Sequence, residues 1–451
     1  MFTQTISSRL EDGHRDRHAM VEEGKRGRAK VAFFGSFGRR NFGNEATFQA
    51  MLWNLRRLAP ETEFTCLCTG PEGVAADYKI AAVPIRDYVV RPWKTLNPLA
   101  RLARKILVGV PSEFWRWVQG VKMLSGTAAL IIPGTGLLTD AYTLFNWGPY
   151  DMFRWTVAAK LARCKLLFVS VGAGPFYNRA GRFFVKAALS LADFRSYREE
   201  PSRHWLRRIG FRNDNDLVYP DLAFSLPPAV LPRCHERKSR RLVVGLGLME
   251  YAGKLSAERP ESAVHAEYLE TLAEFVRWLL AHDYDVRLLI GDFVDQAVTR
   301  EFKSLLRKRA GMQDEERIID EPIESVGELL SQIAETEFVV ATRFHNVLLS
   351  LLLNKPTIAI SFHHKCSSLM SQMGLTNYCQ DMNTLKTDRL IEQFCQLEKN
   401  AHSLKAMLAG KVEECRDALD EQYRSVLQVI WPHGEQRWAA ETHKATSRMA
   451  S

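Results

Sequence analysis

The sequence predicts an α/β protein built from two Rossmann-like domains that face each other across a cleft, followed by a helical C-terminal extension. Short buried apolar runs recur along the chain, and each is followed by a glycine-rich turn and then by apolar residues at helical spacing. This order is typical of βα units around a parallel sheet. The pattern stops at a proline-rich, basic stretch between about 228 and 240 and then starts again, which indicates a second domain of similar size.

The composition is that of an ordinary globular protein. Hydrophobic residues make up 46% of the 451 residues and charged residues 25%, which excludes collagen-like and disordered chains. No charge-free apolar run reaches the roughly 18 residues of a membrane-spanning helix. The net charge of +9 favours anionic partners. The eight cysteines show no C-x-x-C spacing, and we interpret them as reduced thiols of a cytoplasmic protein.

The first domain is predicted over 30–228, after a polar segment, 1–29, that we expect to be a flexible tail without a secretory signal. A loop rich in glycine and arginine, 35–44, follows the first strand. Apolar residues at helical spacing then predict a helix from about Glu45 to the residue before Pro60. The predicted strands of this domain are 30–34, 63–68, 128–132, 165–171 and 194–197.

The second domain is predicted over 240–387, with the same alternation of strands and helices. Its predicted strands are 242–246, 285–290, 338–341 and 357–361, and its helices are 267–281, 294–309 and 347–353. The segment 388–432 has helical periodicity without strands, and 433–451 is expected to be a tail.

The most informative polar cluster follows the buried strand 338–341. Arg343 and His345 stand where this strand is expected to turn into an apolar helix. Arginine binds phosphate or carboxylate through two parallel hydrogen bonds, and histidine is a candidate proton donor near neutral pH. The alternative is a capped turn with a solvent-facing arginine and a packed histidine.

Further basic side chains follow other strands, and the carboxyl ends of parallel strands share one edge of a sheet. His364 and Lys365 follow 357–361, and because adjacent His363 and His364 point apart in an extended segment, only one should face the cleft. Arg198 follows 194–197 as a second anion-binding candidate. The alternatives are an ordinary polar loop and, for Arg198, a surface ion pair.

Two aspartates complete the candidate residues of the first domain. Asp140 lies just beyond the glycine turn 134–136 and could reach a sugar hydroxyl. Asp221 either orients a base or holds a loop. The glycine turns lack the spacing of a dinucleotide fingerprint or a Walker A loop, so no nucleotide cofactor is expected.

No metal is expected either. Asp214-Asn215-Asp216 has the D-x-D spacing of metal-dependent glycosyltransferases, but it precedes a strand and is better interpreted as a polar turn. Cys66 and Cys68 share one face of a strand, as core thiols do.

The insertion 88–124 mixes basic, aromatic and aliphatic residues. This mixture is typical of an interfacial helix on an anionic membrane surface. The alternative is an insertion packed on its own domain. Nucleic-acid binding is not expected, since no recognised binding motif accompanies the charge.

Six motifs in sequence order resemble those of the polysaccharide pyruvyl transferase family. They are 41–46 (NFGNEA, similar to N-x-G-D-E-A), 133–140 (PGTGLLTD), 171–175 (VGAGP), 196–199 (SYRE, similar to S-x-R-D), 343–345 (RFH, similar to R-L-H) and 361–365 (SFHHK, similar to S-Y-x-x-K). The resemblance spans about 30–375. It departs from the family at Asn44, where an aspartate is usual, at Thr135, which interrupts a glycine run, and at Phe344 and Phe362.

The resemblance implies a two-domain fold similar to the GT-B glycosyltransferases. It also implies phosphoenolpyruvate as the donor, without a cofactor, and a sugar carrying a pyruvate ketal as the product. Arg343, His345 and Arg198 are then donor-site residues, with His345 as general acid, and Asn44 lies near the cleft. Lys365 and His364 are added to the substrate-binding residues from their position. The donor is expected on the second domain and the acceptor, a glycan or lipid-linked glycan, on the first.

Two alternatives remain at this point. One is a nucleotide-sugar-dependent glycosyltransferase of the same fold. The other is a catalytically degenerate, membrane-associated scaffold for polysaccharide assembly, which the Asn44 substitution keeps open. The expected location is the cytoplasm, with peripheral contact on the inner face of the plasma membrane.

Overall fold

The computed structural model describes residues 29–86, 105–140, 148–232, 241–250, 261–310, 316–362 and 364–432. Two parallel sheets form the centres of two α/β domains, and two helices follow as a C-terminal extension. The predicted fold class is therefore confirmed. The following lie outside the described residues: all but the last residue of the predicted tail 1–29, the predicted tail 433–451, the linker segment 233–240 and the first part of the basic insertion, 88–104.

The sheet of the first domain has seven parallel strands in the order β3-β2-β1-β4-β5-β6-β7. They are β1 (Lys30–Gly35), β2 (Glu63–Cys68), β3 (Ala81–Pro84), β4 (Thr127–Pro133), β5 (Lys165–Val171), β6 (Phe194–Tyr197) and β7 (Leu217–Val218). Alternate residues of β1 enter opposite cores, with Val31 and Phe33 on one face and Ala32 and Phe34 on the other. The strand order reverses between β1 and β4, and ligands of such sheets bind at this crevice.

Helices cover both faces of this sheet. They are α1 (Phe42–Leu58), α2 (Pro71–Tyr78), α3 (Val110–Leu124), α4 (Pro149–Leu161), α5 (Arg179–Ser190) and α6 (Glu200–Arg208). The apolar side of α1 packs against the face that carries Phe33, whereas α4 and α5 pack against the face that carries Phe34. A π-helical turn, Lys105–Gly109, leads into α3.

The second domain repeats the plan with six parallel strands in the order β10-β9-β8-β11-β12-β13. The strands are β8 (Val243–Leu248), β9 (Asp285–Ile290), β10 (Ile318–Ile319), β11 (Phe338–Ala341), β12 (Thr357–Ser361) and β13 (Cys379–Asp381). The helices are α7 (Glu261–Ala281), α8 (Gln296–Ala310), α9 (Val326–Ala334), α10 (Phe344–Leu352) and α11 (His364–Gln372).

The C-terminal extension consists of α12 (Thr387–Lys399) and α13 (Ala401–Ile430), and α13 returns to the first domain. Gln422 Nε2 donates hydrogen bonds to Oγ of Ser170 (2.9 Å) and of Ser196 (2.7 Å). The hydroxyls of Tyr423 and Ser225 lie 2.8 Å apart. Because buried apolar residues of α13 also join a core shared by both domains, this helix fixes their relative position.

A short antiparallel bridge joins the domains beside the cleft. Asn41 Nδ2 donates to Asp292 Oδ2 at 2.6 Å, and Phe42 N donates to the carbonyl of Gly291 at 3.1 Å. These contacts place the first turn of α1 against the carboxyl end of β9.

Three predicted boundaries are wrong. The loop predicted to end at Asn44 stops earlier, and α1 begins at Phe42, because the Asn41 side chain caps the helix by accepting a hydrogen bond from Asn44 N. The helix predicted from 267 begins at Glu261, and the helix predicted from 347 begins at Phe344. Within the described ranges, no helix combines the length and apolar character needed to cross a membrane.

Candidate active site

Arg343 and His345 lie where β11 passes into α10, as the sequence predicts. The strand ends at Ala341 and the helix begins at Phe344, so Arg343 is the N-cap residue and His345 occupies the second helical position. The first N–H groups of a helix have no intrahelical acceptor, so this turn offers backbone donors to an anion as well.

The guanidinium of Arg343 is held by the buried carboxylate of Asp295. Arg343 Nε lies 3.1 and 2.9 Å from the two carboxylate oxygens, and Nη2 lies 2.5 Å from Oδ1. Asp295 also accepts hydrogen bonds from the backbone N–H groups of Glu250 and Gly291. Asp295 is thereby fixed, and it orients Arg343, whose side chain is still 23% exposed at the cleft.

His345 reaches across the cleft to the first domain. Its Nε2 lies 3.9 Å from Asp221 Oδ2. Its ring rests against Gly43 in α1, where an added Cβ would lie 1.9 Å from Nδ1. The Nε2 atom is buried and makes no hydrogen bond to any residue that the structure describes, so it is available to a ligand.

Arg198 comes to the same place from the end of β6. Its Nη1 donates to Asp221 Oδ2 at 2.8 Å, and its Nε lies 3.8 Å from Glu199 Oε2. The guanidinium carbon stands 4.6 Å from the centre of the Phe344 ring, a cation–π distance. Because the side chain is only 3% exposed, the surface ion pair considered as an alternative is excluded.

Lys365 and His364 lie at the start of α11 and face the first domain. A Cβ on Gly136 would lie 2.9 Å from Lys365 Nζ, which places the ammonium group against the glycine turn after β4. His364 Nε2 lies 3.9 Å from Glu199 Oε1. His363 lies outside the described residues, so the expectation that only one of the two histidines faces the cleft stays a prediction.

Three cations stand near His345, and the carboxylates of Asp221, Glu199 and Asp295 pair with two of them, Arg198 and Arg343. Burial lowers the pKa of His345 to about 4, and the cations Arg198, Lys365 and Arg343 act in the same direction against the opposing charge of Asp221. Burial and the charge of Arg198 lower the pKa of Lys365 to about 8. A ligand with two negative charges would offset the repulsion between these cations and would favour the charged forms of His345 and Lys365.

A family model for polysaccharide pyruvyl transferases matches residues 41–364, most of the 451-residue chain. The chain belongs to the polysaccharide pyruvyl transferase family. It is therefore a transferase, and the resemblance carried by the six motifs is confirmed. The amylovoran biosynthesis protein AmsJ of Erwinia amylovora is 20% identical over 334 residues, which cover 68% of this chain and 74% of AmsJ.

Solved structures share the fold of this pyruvyl transferase. The UDP-GlcNAc 2-epimerase of Neisseria meningitidis bound to UDP-GlcNAc superposes with a TM-score of 0.52 at 11% identity, over 88% of this chain and 100% of the epimerase. Anabaena Alr3699/HepE in complex with UDP gives 0.54 at 12% identity, again over 88% and 100% of the two chains. At these identities the likeness concerns the fold alone, which is that of the GT-B enzymes.

Two departures from the pyruvyl transferase pattern, Asn44 and Phe344, make contacts that the usual residues could not make. Asn44 Nδ2 donates a hydrogen bond to the carbonyl of Ser36 at 3.1 Å, which the aspartate usual in the family could not do. Phe344 provides the aromatic face beside the guanidinium of Arg198 that a leucine would lack. Asn44 thus lies beside Gly43, with its own side chain turned to the loop after β1.

Asp140 accepts hydrogen bonds from the loop that precedes α5. Its two carboxylate oxygens accept hydrogen bonds from the backbone N–H groups of Tyr177 (2.7 Å) and Asn178 (2.9 Å). It also packs against Gly181, where an added Cβ would lie 2.3 Å from Oδ2. In this structure Asp140 holds the loop before α5, and reach to a sugar hydroxyl remains a prediction.

Three residues of this pyruvyl transferase site were missed by sequence reasoning. They are Gly43, Glu199 as the neighbour of His364, and Asp295 as the residue that orients Arg343. Asp295 could have been recognised from the sequence, because Asp292 and Asp295 have the spacing of a capping box and follow a buried strand directly. Asp221 was left between orienting a base and holding a loop. It accepts a hydrogen bond from the backbone N–H of Ala223 and so holds its loop, and it also pairs with Arg198. That it orients a base stays a prediction.

The expectation that no metal is needed stays a prediction. Across the described ranges, no group of three or more His, Cys, Asp or Glu side chains could hold a metal ion. Asp216 of the D-x-D sequence accepts hydrogen bonds from Arg195 and Tyr197, as a polar turn would. Cys66 and Cys68 are buried thiols.

Proposed function

We propose that this enzyme transfers pyruvate from phosphoenolpyruvate to sugar hydroxyls and forms a pyruvate ketal. The observation that carries the proposal is the convergence of Arg198, Arg343 and Lys365 around the buried imidazole of His345. Phosphoenolpyruvate carries a phosphate and a carboxylate, so its binding would offset these charges. Cations from both domains would grip the two anionic groups.

The residues fit the chemistry that ketal formation needs. Carbon 3 of phosphoenolpyruvate takes a proton, so carbon 2 becomes electrophilic and bonds to the oxygen of a first hydroxyl, whose proton is lost to a base. The oxygen of a second hydroxyl then bonds to carbon 2 as the bond from carbon 2 to the phosphate oxygen breaks. That second proton leaves with the phosphate. His345 is the proposed donor of the first proton, and such general acid catalysis contributes about 10²–10⁴-fold.

The proton for this step is supplied by a coupling between binding and protonation. With an empty site the pKa of His345, about 4, leaves the imidazole neutral at pH 7. The negative charges of a bound donor would raise that pKa, since an opposite charge nearby favours the charged form. Donor binding would therefore favour protonation of the His345 imidazole.

The acceptor is proposed to be a polysaccharide or a lipid-linked glycan intermediate of exopolysaccharide synthesis. The likeness to an amylovoran biosynthesis protein supports this class of acceptor. The family description, with its polysaccharide substrate, supports it as well.

We propose in addition that α3 contacts an anionic membrane from the cytoplasmic side. The outward residues of this region are large, apolar and about half or more exposed, namely Ile106, Leu107, Val110, Phe114, Trp115 and Met123. Ring contacts from Trp117 through Phe153 extend this surface to the exposed Phe183 of α5. Exposed basic residues flank it: Lys122, Arg179 and Arg182. An apolar face bordered by cations is what an interfacial helix needs.

Sedimentation with vesicles tests this surface. The variant with Phe114→Ser and Trp115→Ser should lose most binding to vesicles of phosphatidylglycerol and phosphatidylcholine, whereas Val294→Ser, which removes an exposed apolar residue of the second domain, should not. Vesicles of phosphatidylcholine alone should bind less protein, because the flanking basic residues then meet no anionic headgroups. Equal binding by all variants would refute the surface.

Thermal-shift and phosphate-release assays test the function. Phosphoenolpyruvate should raise the unfolding temperature, whereas UDP- and GDP-sugars should not. His345→Gln and Arg343→Lys, which keeps a cation beside buried Asp295, should lose phosphate release by at least about 10²-fold. The control variants His402→Gln and Arg424→Lys lie on the exposed side of α13 and should keep it. Protection by a nucleotide sugar instead would favour a glycosyltransferase, and no donor binding at all would favour the scaffold.

A further inference from the structure

A separate cavity of about 540 Å³ opens between the two domains, next to the cationic cluster. Helix α6 and the end of β7 form one wall and α11 forms the other. Small-molecule sites commonly have volumes of about 300–1,000 Å³. Arg198 and His364 line this cavity and border the cationic cluster as well, so the cavity adjoins the proposed donor site.

The wall on α11 consists of uncharged hydrogen-bonding side chains. Ser367 and Ser371 stand four residues apart on this helix, and so do Ser368 and Gln372, which places the four on one side. Val218 and Pro201 add an apolar patch on the opposite wall. Hydroxyl and amide groups facing a small apolar patch suit a ligand with several hydroxyls and an apolar ring face.

The charges of this cavity disfavour the anionic donor. Glu199 and Glu200 both line it. Arg198 lines it as well, so two carboxylates face one permanent cation. Burial lowers the pKa of His364 to about 4, so its imidazole is neutral at pH 7. A dianion would meet carboxylates here, whereas a neutral polyhydroxyl compound would find donors and acceptors.

We propose that this cavity binds the acceptor sugar, with His364 positioned to receive the proton of the attacking hydroxyl. The inference rests on the proposed function and identifies the second substrate's place in the same cleft. A neutral imidazole can take that proton as the hydroxyl oxygen bonds to carbon 2 of the protonated donor. Glu199 Oε1, 3.9 Å from His364 Nε2, then stabilises the imidazolium that forms. The sequence-based expectation places the acceptor on the first domain and the donor on the second. In this proposal the acceptor site also uses α11 of the second domain as one wall.

Filling the cavity tests the proposal. Ser371→Trp would place a large ring in it, and Ser403→Trp, on the exposed side of α13, is the matched control. The probes are the p-nitrophenyl β-hexopyranosides of glucose, galactose and mannose, observed by saturation-transfer NMR with phosphoenolpyruvate present. Wild type and Ser403→Trp should bind at least one hexoside. Ser371→Trp should lose that binding and should require more than tenfold higher hexoside for phosphate release, with an unchanged Kd for phosphoenolpyruvate.

The outcomes separate the two proposals. Equal hexoside binding by Ser371→Trp and wild type, or no hexoside binding by wild type, would overturn the acceptor site. A third outcome is possible: wild type binds a hexoside, Ser371→Trp does not, and wild type never consumes phosphoenolpyruvate. This result would support the cavity as a sugar site and would overturn the proposed function. His364→Gln should lower kcat by about 10²-fold or more at an unchanged hexoside KM. An unchanged kcat would overturn the assignment of His364 as the base.

Discussion

Gly43 of the first domain makes room for the imidazole of His345 of the second domain. An added Cβ at Gly43 would lie 1.9 Å from Nδ1 and 2.3 Å from Cγ of that ring. Gly43 stands in the first turn of α1, where its backbone conformation is helical, so the glycine is required by the close approach and not by the backbone. The N-x-G motif and the R-x-H motif, far apart in sequence, therefore form one contact.

Gly43→Ala should reduce both activity and stability. Alanine favours a helix over glycine by about 0.5–1 kcal/mol, but its methyl group must displace the buried imidazole, and such overpacking costs about 1–3 kcal/mol. A shift of the ring by about 1 Å can cost on the order of 10²-fold in rate. Phosphate release and urea unfolding would measure both effects. Gly410→Ala in α13 has open space around its Cβ and should gain stability with unchanged activity. An active Gly43→Ala enzyme would contradict the role given to this contact.

Phosphoenolpyruvate binding should be accompanied by proton uptake at His345. The pKa of about 4 in the empty site must rise when a dianion binds, so the affinity should increase as the pH falls from 8 to 6. Isothermal titration calorimetry in buffers with different ionisation enthalpies counts the protons. His345→Gln serves as the reference, because the donor's own phosphate titrates alike in both proteins. The same uptake in wild type and His345→Gln would refute the coupling.

The two cleft histidines should make the folded protein sensitive to acid. Their pKa values are lowered from 6.5 to about 4 by burial, so the unfolded chain binds more protons between these pH values. The free energy of unfolding should therefore fall as the pH drops from 6.5 towards 4, by up to about 3 kcal/mol for each histidine. Urea unfolding of wild type and His364→Gln should show a smaller loss in the variant. Parallel pH profiles would contradict this source of acid sensitivity.

Lys365→Met should stabilise the protein and abolish donor binding. Burial and Arg198 lower the pKa of Lys365 from 10.5 to about 8, so below pH 8 its charge costs stability that methionine would recover. The expected gain at pH 7 is at most about 3 kcal/mol in urea unfolding. Lys405→Met, on the exposed side of α13, should change neither property. A destabilised Lys365→Met variant would show that the ammonium is held by favourable contacts.

Asn44→Asp, which restores the residue usual in the family, should destabilise this chain and should not raise kcat/KM. The aspartate carboxylate has no hydrogen to donate, so the 3.1 Å hydrogen bond from Asn44 Nδ2 to the carbonyl of Ser36 would be lost. Loss of a partner for that carbonyl costs about 1–3 kcal/mol, partly offset by the 0.3–1 kcal/mol that a negative charge gains at a helix N-terminus. Thermal unfolding and initial rates measure both properties, with Asn44→Ser as the neutral comparison. Higher activity in Asn44→Asp would show that the natural asparagine weakens the enzyme.

Most of the fold could be predicted because its signals are local. Buried apolar runs of strand length, glycine turns and helical spacing lie within short windows, so β1, β5, β11 and β12 begin and end within a residue or two of their predicted positions. The start of α1 was missed, because its cap uses the Asn41 side chain within a stretch that reads as loop. The C-terminal extension was expected to be helical, but the sequence did not place the break between its two helices at Asn400, since the helical periodicity continues across that residue.

The sequence by itself determined two parallel-sheet domains, a transferase family, and a strand-to-helix turn carrying Arg343 and His345. Only the tertiary structure decided which groups surround them. Asp221 lies between Arg198 and His345, and Asp295 orients Arg343. The physical reason is that periodicity reports which face of an element is buried, whereas the partner across a cleft and the burial that shifts a pKa depend on how distant elements pack.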